Sequence, residues 1–234
     1  MKNLGKRHNS HACLTKRVKL IAEATWRNGY GRSAFIKRMP GKNRRGHLNR
    51  YDNRVSTNPY QVLSSKVVYE NPWITVKEDA VRRPDGNPGI FGSVYIGAGA
   101  SIVAIDRDRM CYLIREWKYP LNDYSLEVIS GGQDGEEPIA DCARRELAEE
   151  AGLHGGELIA LGVMESITSI VKAPVHLYLA LNVEQGAASP SCDEFLEVVR
   201  IPFSEAYTMA LDGRLQHAAT VITILKAAIL LKMI

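Results

Sequence analysis

The feature that most constrains this chain is residues 131–153, GGQDGEEPIADCARRELAEEAGL, which sets several carboxylates on a short helix directly after a glycine-rich turn. Ile139, Ala143, Leu147 and Ala151 recur every four residues. At 3.6 residues per turn that spacing drifts by only about 40° per step, so the four make one apolar stripe that faces a core. Pro138 suits the first helical position, Asp134, Glu136 and Glu137 place negative charge at the positive end of the macrodipole, and Gly152 stands where a left-handed C-cap closes the helix. Glu146, Glu149 and Glu150, spaced i, i+3, i+4, fall within roughly a 100° arc. Carboxylates held that close repel. The arrangement costs little as a solvated acidic face with Arg144 and Arg145 as local partners, or it becomes a binding site once a hard divalent cation sits among the oxygens.

The 234 residues and 45% apolar content fit a globular chain with a sizeable core. The net charge of +4 hides a division. Residues 1–57 carry 15 Lys or Arg against Glu23 and Asp52, while the remainder carries 15 basic and 24 acidic residues. Apolar residues in 1–57 are too scattered for a core, apart from a short possible helix near Thr15 to Ala24, so this basic segment is expected to be disordered. Trp26, Tyr30 and Phe35 interleaved with the cations would let it bind nucleic acid by phosphate neutralisation and stacking. An Arg-rich targeting sequence and a dispensable tail remain alternatives. Cys13, Cys111, Cys142 and Cys192 show no CxxC or Cys/His ligand spacing, which argues against a disulfide framework or zinc site and for a reducing, cytoplasmic setting. The most apolar stretch, 218–234, is interrupted by Lys226 and Lys232, and a soluble protein with no membrane span is expected.

The folded domain is expected over 58–234. Period-2 alternation through SKVVYENPWITVKEDAVRRPDG predicts strands ending in a Pro-Asp-Gly turn at 84–86. Further strands are predicted over 91–105, 111–116, 124–128, 157–166, 175–183 and 197–201, with a polar loop through 187–193 and helices at about 203–211 and 216–233. Strands mixed with a few helices indicate a mixed sheet between helices.

Gly131, five residues, Glu137, seven residues, then Arg145-Glu146-Leu147-x-Glu149-Glu150-x-Gly152-Leu153 matches the signature of the Nudix hydrolases at every fixed position. With average residue frequencies such a match arises about once in 10⁹ to 10¹⁰ windows. RRPDGNPG at 82–89, REWKYP at 115–120 and LEVISGG at 126–132 further resemble the ADP-ribose and nucleotide-sugar diphosphatase branch, a similarity spanning about residues 60–230.

The resemblance implies an α/β fold, a Nudix α/β/α sandwich with a mixed β-sheet, that hydrolyses the diphosphate of a small nucleoside diphosphate substrate with Mg²⁺, or Mn²⁺ in its place. It implies Glu146 and Glu150 as side-chain metal ligands, the Ser130 carbonyl as a backbone ligand, and Glu149 as a further ligand or the base. Arg145 and Glu137 would orient the cluster. Glu127, Arg115, Trp117, Lys118, Gly131 and Gly132 would contact substrate. It also implies a homodimer built through the N-terminal strands. Two departures stand out: 127–131 reads Glu-Val-Ile-Ser-Gly where many members have Glu-x-Pro-Ala-Gly, and the position of a downstream catalytic glutamate falls at Ala173. The base is then Glu149, Glu165, Glu194 or Glu197, or activity is reduced. His176 reads as a sheet histidine, and Asp193-Glu194 as a solvated loop pair. Dinucleotides, flavin or nicotinamide cofactors, nucleoside triphosphates and capped RNA remain alternative substrates, and a nucleotide-sensing or nucleic-acid-binding module is the alternative class.

Overall fold

The computed structural model describes residues 58–186 and 196–232. The expectations placed on 1–57 and on the 187–193 loop, together with Glu194, lie outside the described residues. These form β1 (Gln61–Glu70), β2 (Ile74–Arg82), β3 (Pro88–Ile96), β4 (Gly99–Asp106), β5 (Met110–Lys118), β6 (Asp123–Gly132), α1 (Ile139–Ala151), β7 (Leu153–His154), β8 (Glu157–Glu165), β9 (Val171–Lys172), β10 (Pro174–Gln185), β11 (Leu196–Pro202), α2 (Phe203–Asp212) and α3 (Ala218–Leu230).

The strands make two sheets. An outer sheet has the order β1-β2-β3-β9, and an inner one has the order β11-β5-β6-β4-β10-β7 with β8 also on β10. The inner sheet is mixed because β10 runs parallel to β4 while β6 runs antiparallel to it. β4 explains the layering. Its run ASIVAI is buried on both faces, as a central strand covered on both sides must be. Ile102 and Ala104 pack with Ala143, Leu147 and Ala151 of α1, whereas Val103 and Ile105 pack with Phe203 of α2 and Ile224 and Ala227 of α3. The result is the expected α/β/α sandwich. The stripe of α1 points inward as its spacing requires, with Ala143, Leu147 and Ala151 buried and Ile139 partly so. Cutting Leu147 to Ala would remove about 2–5 kcal/mol from that interface.

Two expectations need correction. The apolar run 91–105 is not one strand: it breaks after Ile96, leaving β3 in the outer sheet and starting β4 in the inner one. Gly99 sits just past the break, where a Cβ would stand 2.8 Å from the Gly131 carbonyl oxygen, so only glycine allows β4 to close on β6 there. Pro138 is the N-cap, not the first helical residue. Its backbone is extended (φ −58°, ψ 133°), and its carbonyl accepts from the N–H groups of Asp141 and Cys142. Gly152 closes the helix in the left-handed region at φ 63°, as expected.

β1 is exposed along its whole length, with Val62, Leu63, Val67, Val68 and Tyr69 each about half exposed. Among the described residues no helix is long and apolar enough to cross a membrane. Cys111 and Cys142 are free and buried.

Candidate active site

β6 ends in Ser130-Gly131-Gly132, and α1 returns across that end, so the helix carboxylates come to lie over the strand. Gly131 shows how closely: a Cβ there would stand 2.0 Å from Glu146 Oε1 and 2.1 Å from its Cδ. The glycine is the space that the Glu146 carboxyl occupies, and Glu146 is 8% exposed. Beside it, the Ser130 N–H donates to Glu150 Oε2 at 3.3 Å.

Arg145 is the hub. Its Nη1 donates to Glu146 Oε1 at 2.7 Å and Glu149 Oε2 at 2.9 Å, and its Nη2 donates to Glu137 Oε1 and the Gly132 carbonyl, both at 2.8 Å. Charge-assisted bonds of this kind fix geometry as well as adding energy. They drive the guanidinium pKa further up, the Glu137 bond contributing most. They hold the Glu137 carboxyl below its ordinary range, with the Arg145 bond leading and the Asp134 N–H adding to it. Cys142 sits beneath the hub with its Sγ 3.3 Å from the Gly132 carbonyl, and burial, with the Glu146 charge, pushes its thiol up to about 11.

The donor chemistry suits a hard divalent cation: the carboxylates of Glu146, Glu149 and Glu150 and the Ser130 carbonyl offer oxygens alone. In the described arrangement Arg145 holds two of those carboxylates. Among the described residues no three His, Cys, Asp or Glu side chains converge on one point. Each of those two carboxylates has a second oxygen, so Arg145 can hold one oxygen in place while a cation is bound through the other.

A second cluster lies further back on β6. Glu127 is 8% exposed, and its Oε2 stands 3.0 Å from His217 Nδ1 and 3.9 Å from Lys118 Nζ. Lys118 also bonds Glu116. Burial pulls the Lys118 pKa down, but the Glu116 bond and the charges of Glu127, Glu116 and Glu150 outweigh it, and the net shift is upward. Lys118 thus lies within electrostatic reach of both clusters.

The fold therefore gathers Glu137, Arg145, Glu146, Glu149 and Gly132 into one group, sets Ser130 against Glu150, and joins Lys118 to Glu127. Arg115 and Trp117 stand apart. The Arg115 guanidinium lies 3.9 Å over the Tyr124 ring and pairs with Glu197 at 3.1 Å, and Trp117 meets Tyr124 edge-on at 5.2 Å. Glu165 reaches the Ala173 position from outside, its Oε2 accepting from the Ala173 N–H at 2.9 Å. His176 is half-buried on β10, and burial lowers its pKa. His217 went unseen in the sequence, since it meets Glu127 only through packing of α3 and no local spacing announces it.

The glycine-to-helix box under a buried glutamate defines a class of protein, and the comparisons agree: residues 96–222, more than half the chain, match the NUDIX domain model, so the chain belongs to the NUDIX family and is a hydrolase. Within it, residues 60–94 match the model described as nucleoside diphosphate sugar hydrolase N-terminal domain. Similar proteins include a GDP-mannose pyrophosphatase of Klebsiella pneumoniae, 28% identical over 69% of this chain and 87% of its own length. A methanol dehydrogenase activator of Bacillus methanolicus is 23% identical over 70% of this chain and 90% of its own. A solved structure titled as an ADP compounds hydrolase superposes with a TM-score of 0.68 at 22% identity, covering 76% of this chain and 97% of its own, and so shares the fold.

Proposed function

We propose that this protein hydrolyses the diphosphate of ADP-ribose or a related nucleoside diphosphate sugar, giving a nucleoside monophosphate and a sugar phosphate. The observation that carries the reading is the Arg145-centred carboxylate group packed over Gly131. The match of residues 60–94 supports a sugar diphosphate as the class.

Glu146, Glu150 and the Ser130 carbonyl would hold Mg²⁺, or Mn²⁺ in its place. Such an ion neutralises phosphate oxygens and lowers the pKa of a bound water. The chain's own work is positional. Arg145 and Glu137 fix the carboxylates, Glu146 lies against the glycine that admits it, and Lys118 supplies a cation for phosphate oxygens. In the reaction the water oxygen bonds to phosphorus, the bridging P–O bond breaks, the water proton passes to a carboxylate and the sugar phosphate leaves on the bridging oxygen. Glu149, whose side chain is 45% exposed, is the proposed base. Glu165, anchored on the Ala173 N–H, is the second candidate, and Glu165→Gln separates the two.

The test is release of nucleoside monophosphate from ADP-ribose, other nucleotide sugars, dinucleotides and nucleoside triphosphates, with Mg²⁺ and with chelator. Metal-dependent release led by a nucleotide sugar, lost in Glu149→Gln and Glu150→Gln, is expected. Tight binding without turnover by folded protein refutes the reading in favour of a sensor, and release led by another diphosphate refutes the substrate class. We further propose a cytoplasmic homodimer assembled on the outer sheet, whose exposed Val62, Leu63, Val67, Val68 and Tyr69 are more apolar surface than a solvated strand needs.

A further inference from the structure

Glu127 is a nearly buried carboxylate, and a carboxylate in that position needs donors. The sheet explains why they come from α3. β6 pairs with β5 through Val128 and with β4 only from Ile129 onward, so its ladder changes partner at this point. The Val128 N–H is taken by Thr220 Oγ1 at 3.0 Å, and Thr220 is fully buried in the first turn of α3. One residue before α3, His217 is its N-cap, with its carbonyl accepting from the Val221 N–H. That anchoring sets the ring. Nδ1 lies 3.0 Å from both Glu127 Oε2 and Thr220 Oγ1. An ionised carboxylate only accepts, so a hydrogen bond from the ring to Glu127 requires the proton on Nδ1. Among the described residues Glu127 also pairs with Lys118, whose ammonium is in turn held by Glu116. The result is a chain from α3 to the substrate side: Thr220 and the helix start fix His217, His217 fixes Glu127, and Glu127 with Glu116 fixes the Lys118 ammonium.

We propose that His217 is a positioning residue for the hydrolysis, acting through Glu127 on Lys118 and so on the binding of the substrate's diphosphate. The inference rests on the reading of this site given under Proposed function. It assigns the carboxylate's orientation to the start of α3, some 90 residues further along the chain.

The test uses the position of the ring nitrogen. The asparagine amide nitrogen is as many bonds from Cα as Nδ1, and the glutamine amide nitrogen is as many as Nε2. His217→Asn can still donate to Glu127, while His217→Gln and His217→Ala cannot. Losing a charge-assisted hydrogen bond at a phosphate-binding cation is expected to cost about tenfold to a hundredfold in kcat/KM, mainly as a raised KM. Expected are that loss in the Ala and Gln variants, retention within about threefold in Asn, and no added effect of His217→Ala in a Lys118→Met background. Equal loss in Asn and Ala overturns the proposal in favour of direct substrate contact. Wild-type kcat/KM in all three with a lowered Tm reduces His217 to a structural cap. Should the Ala variant not fold, the Asn and Gln pair carries the comparison. Nitrogen-15 NMR of the wild-type protein reads the same point without turnover, since an Nδ1–H tautomer of His217 is expected and an Nε2–H tautomer overturns it. Absence of wild-type turnover on every diphosphate refutes the reaction instead, and the tautomer then still decides the contact.

Discussion

Gly131→Ala is the sharpest probe of the site, because the added methyl lands inside another residue. Its carbon would stand 2.0, 2.1 and 2.5 Å from Oε1, Cδ and Oε2 of Glu146, whereas ordinary contact begins at 3.4 Å. The carboxyl must therefore retreat by more than an ångström. It cannot do so freely, since Arg145 Nη1 holds Oε1 at 2.7 Å and the residue is 8% exposed. Metal–ligand distances tolerate only about 0.2 Å, and a misplacement of about 1 Å near the chemistry costs on the order of 100-fold. The expected result is a fall of about 100-fold in kcat/KM for nucleotide-sugar hydrolysis. Because the clash is with the end of a side chain, Tm should drop by only a few degrees. The control is Gly92 on β3, away from the site, where a Cβ meets nothing within 4 Å. Gly92→Ala is expected to keep activity within about twofold. Activity of Gly131→Ala within threefold of wild type, or equal losses at both glycines, would refute the argument that the Glu146 carboxyl works from this position.

Arg145→Lys keeps the charge but not the fork that reaches Glu137, Glu146, Glu149 and the Gly132 carbonyl together. With a quarter of the side chain exposed, a loss of about 1–3 kcal/mol in urea unfolding and at least tenfold in kcat/KM is expected. Because the folded Glu137 pKa lies below its ordinary 4.5, the Glu137 contribution is complete above that value and lost as pH falls through the depressed one. Thermal melts from pH 6 downward should therefore fall more steeply for wild type than for Glu137→Gln, and parallel curves would contradict the assignment. Replacing Val67 and Val68 on β1 together by Lys should convert dimer to monomer in light scattering, and an unchanged mass would remove β1 from the interface.

What was legible in the sequence was what is local in the chain. The stripe of α1, its glycine C-cap and the clustering of Glu146, Glu149 and Glu150 all follow from 3.6 residues per turn, and the alternating faces of β4 follow from a two-residue repeat. The break between Ile96 and Gly99 was not legible, because the run stays apolar or small while the strand leaves one sheet for another, and periodicity does not record which sheet a residue joins. The contacts of Arg115 and Trp117 with Tyr124 and Glu197 were likewise not legible, because they depend on which strands lie beside β5. His217 was invisible for the same reason: its meaning lies in Glu127, and only the docking of α3 brings the two within hydrogen-bond distance.

β9 is only two residues long, but it belongs to the outer sheet, where Val171 and Lys172 pair with Val94 and Tyr95, and Val94 N–H donates to Ile170. The next residue, Ala173, holds the Glu165 carboxylate, and Pro174 opens β10 of the inner sheet. The segment behaves as a tether between two plates. A homodimer assembled on the outer sheet, as proposed above, would brace one of the two plates that meet at the Glu165 anchor.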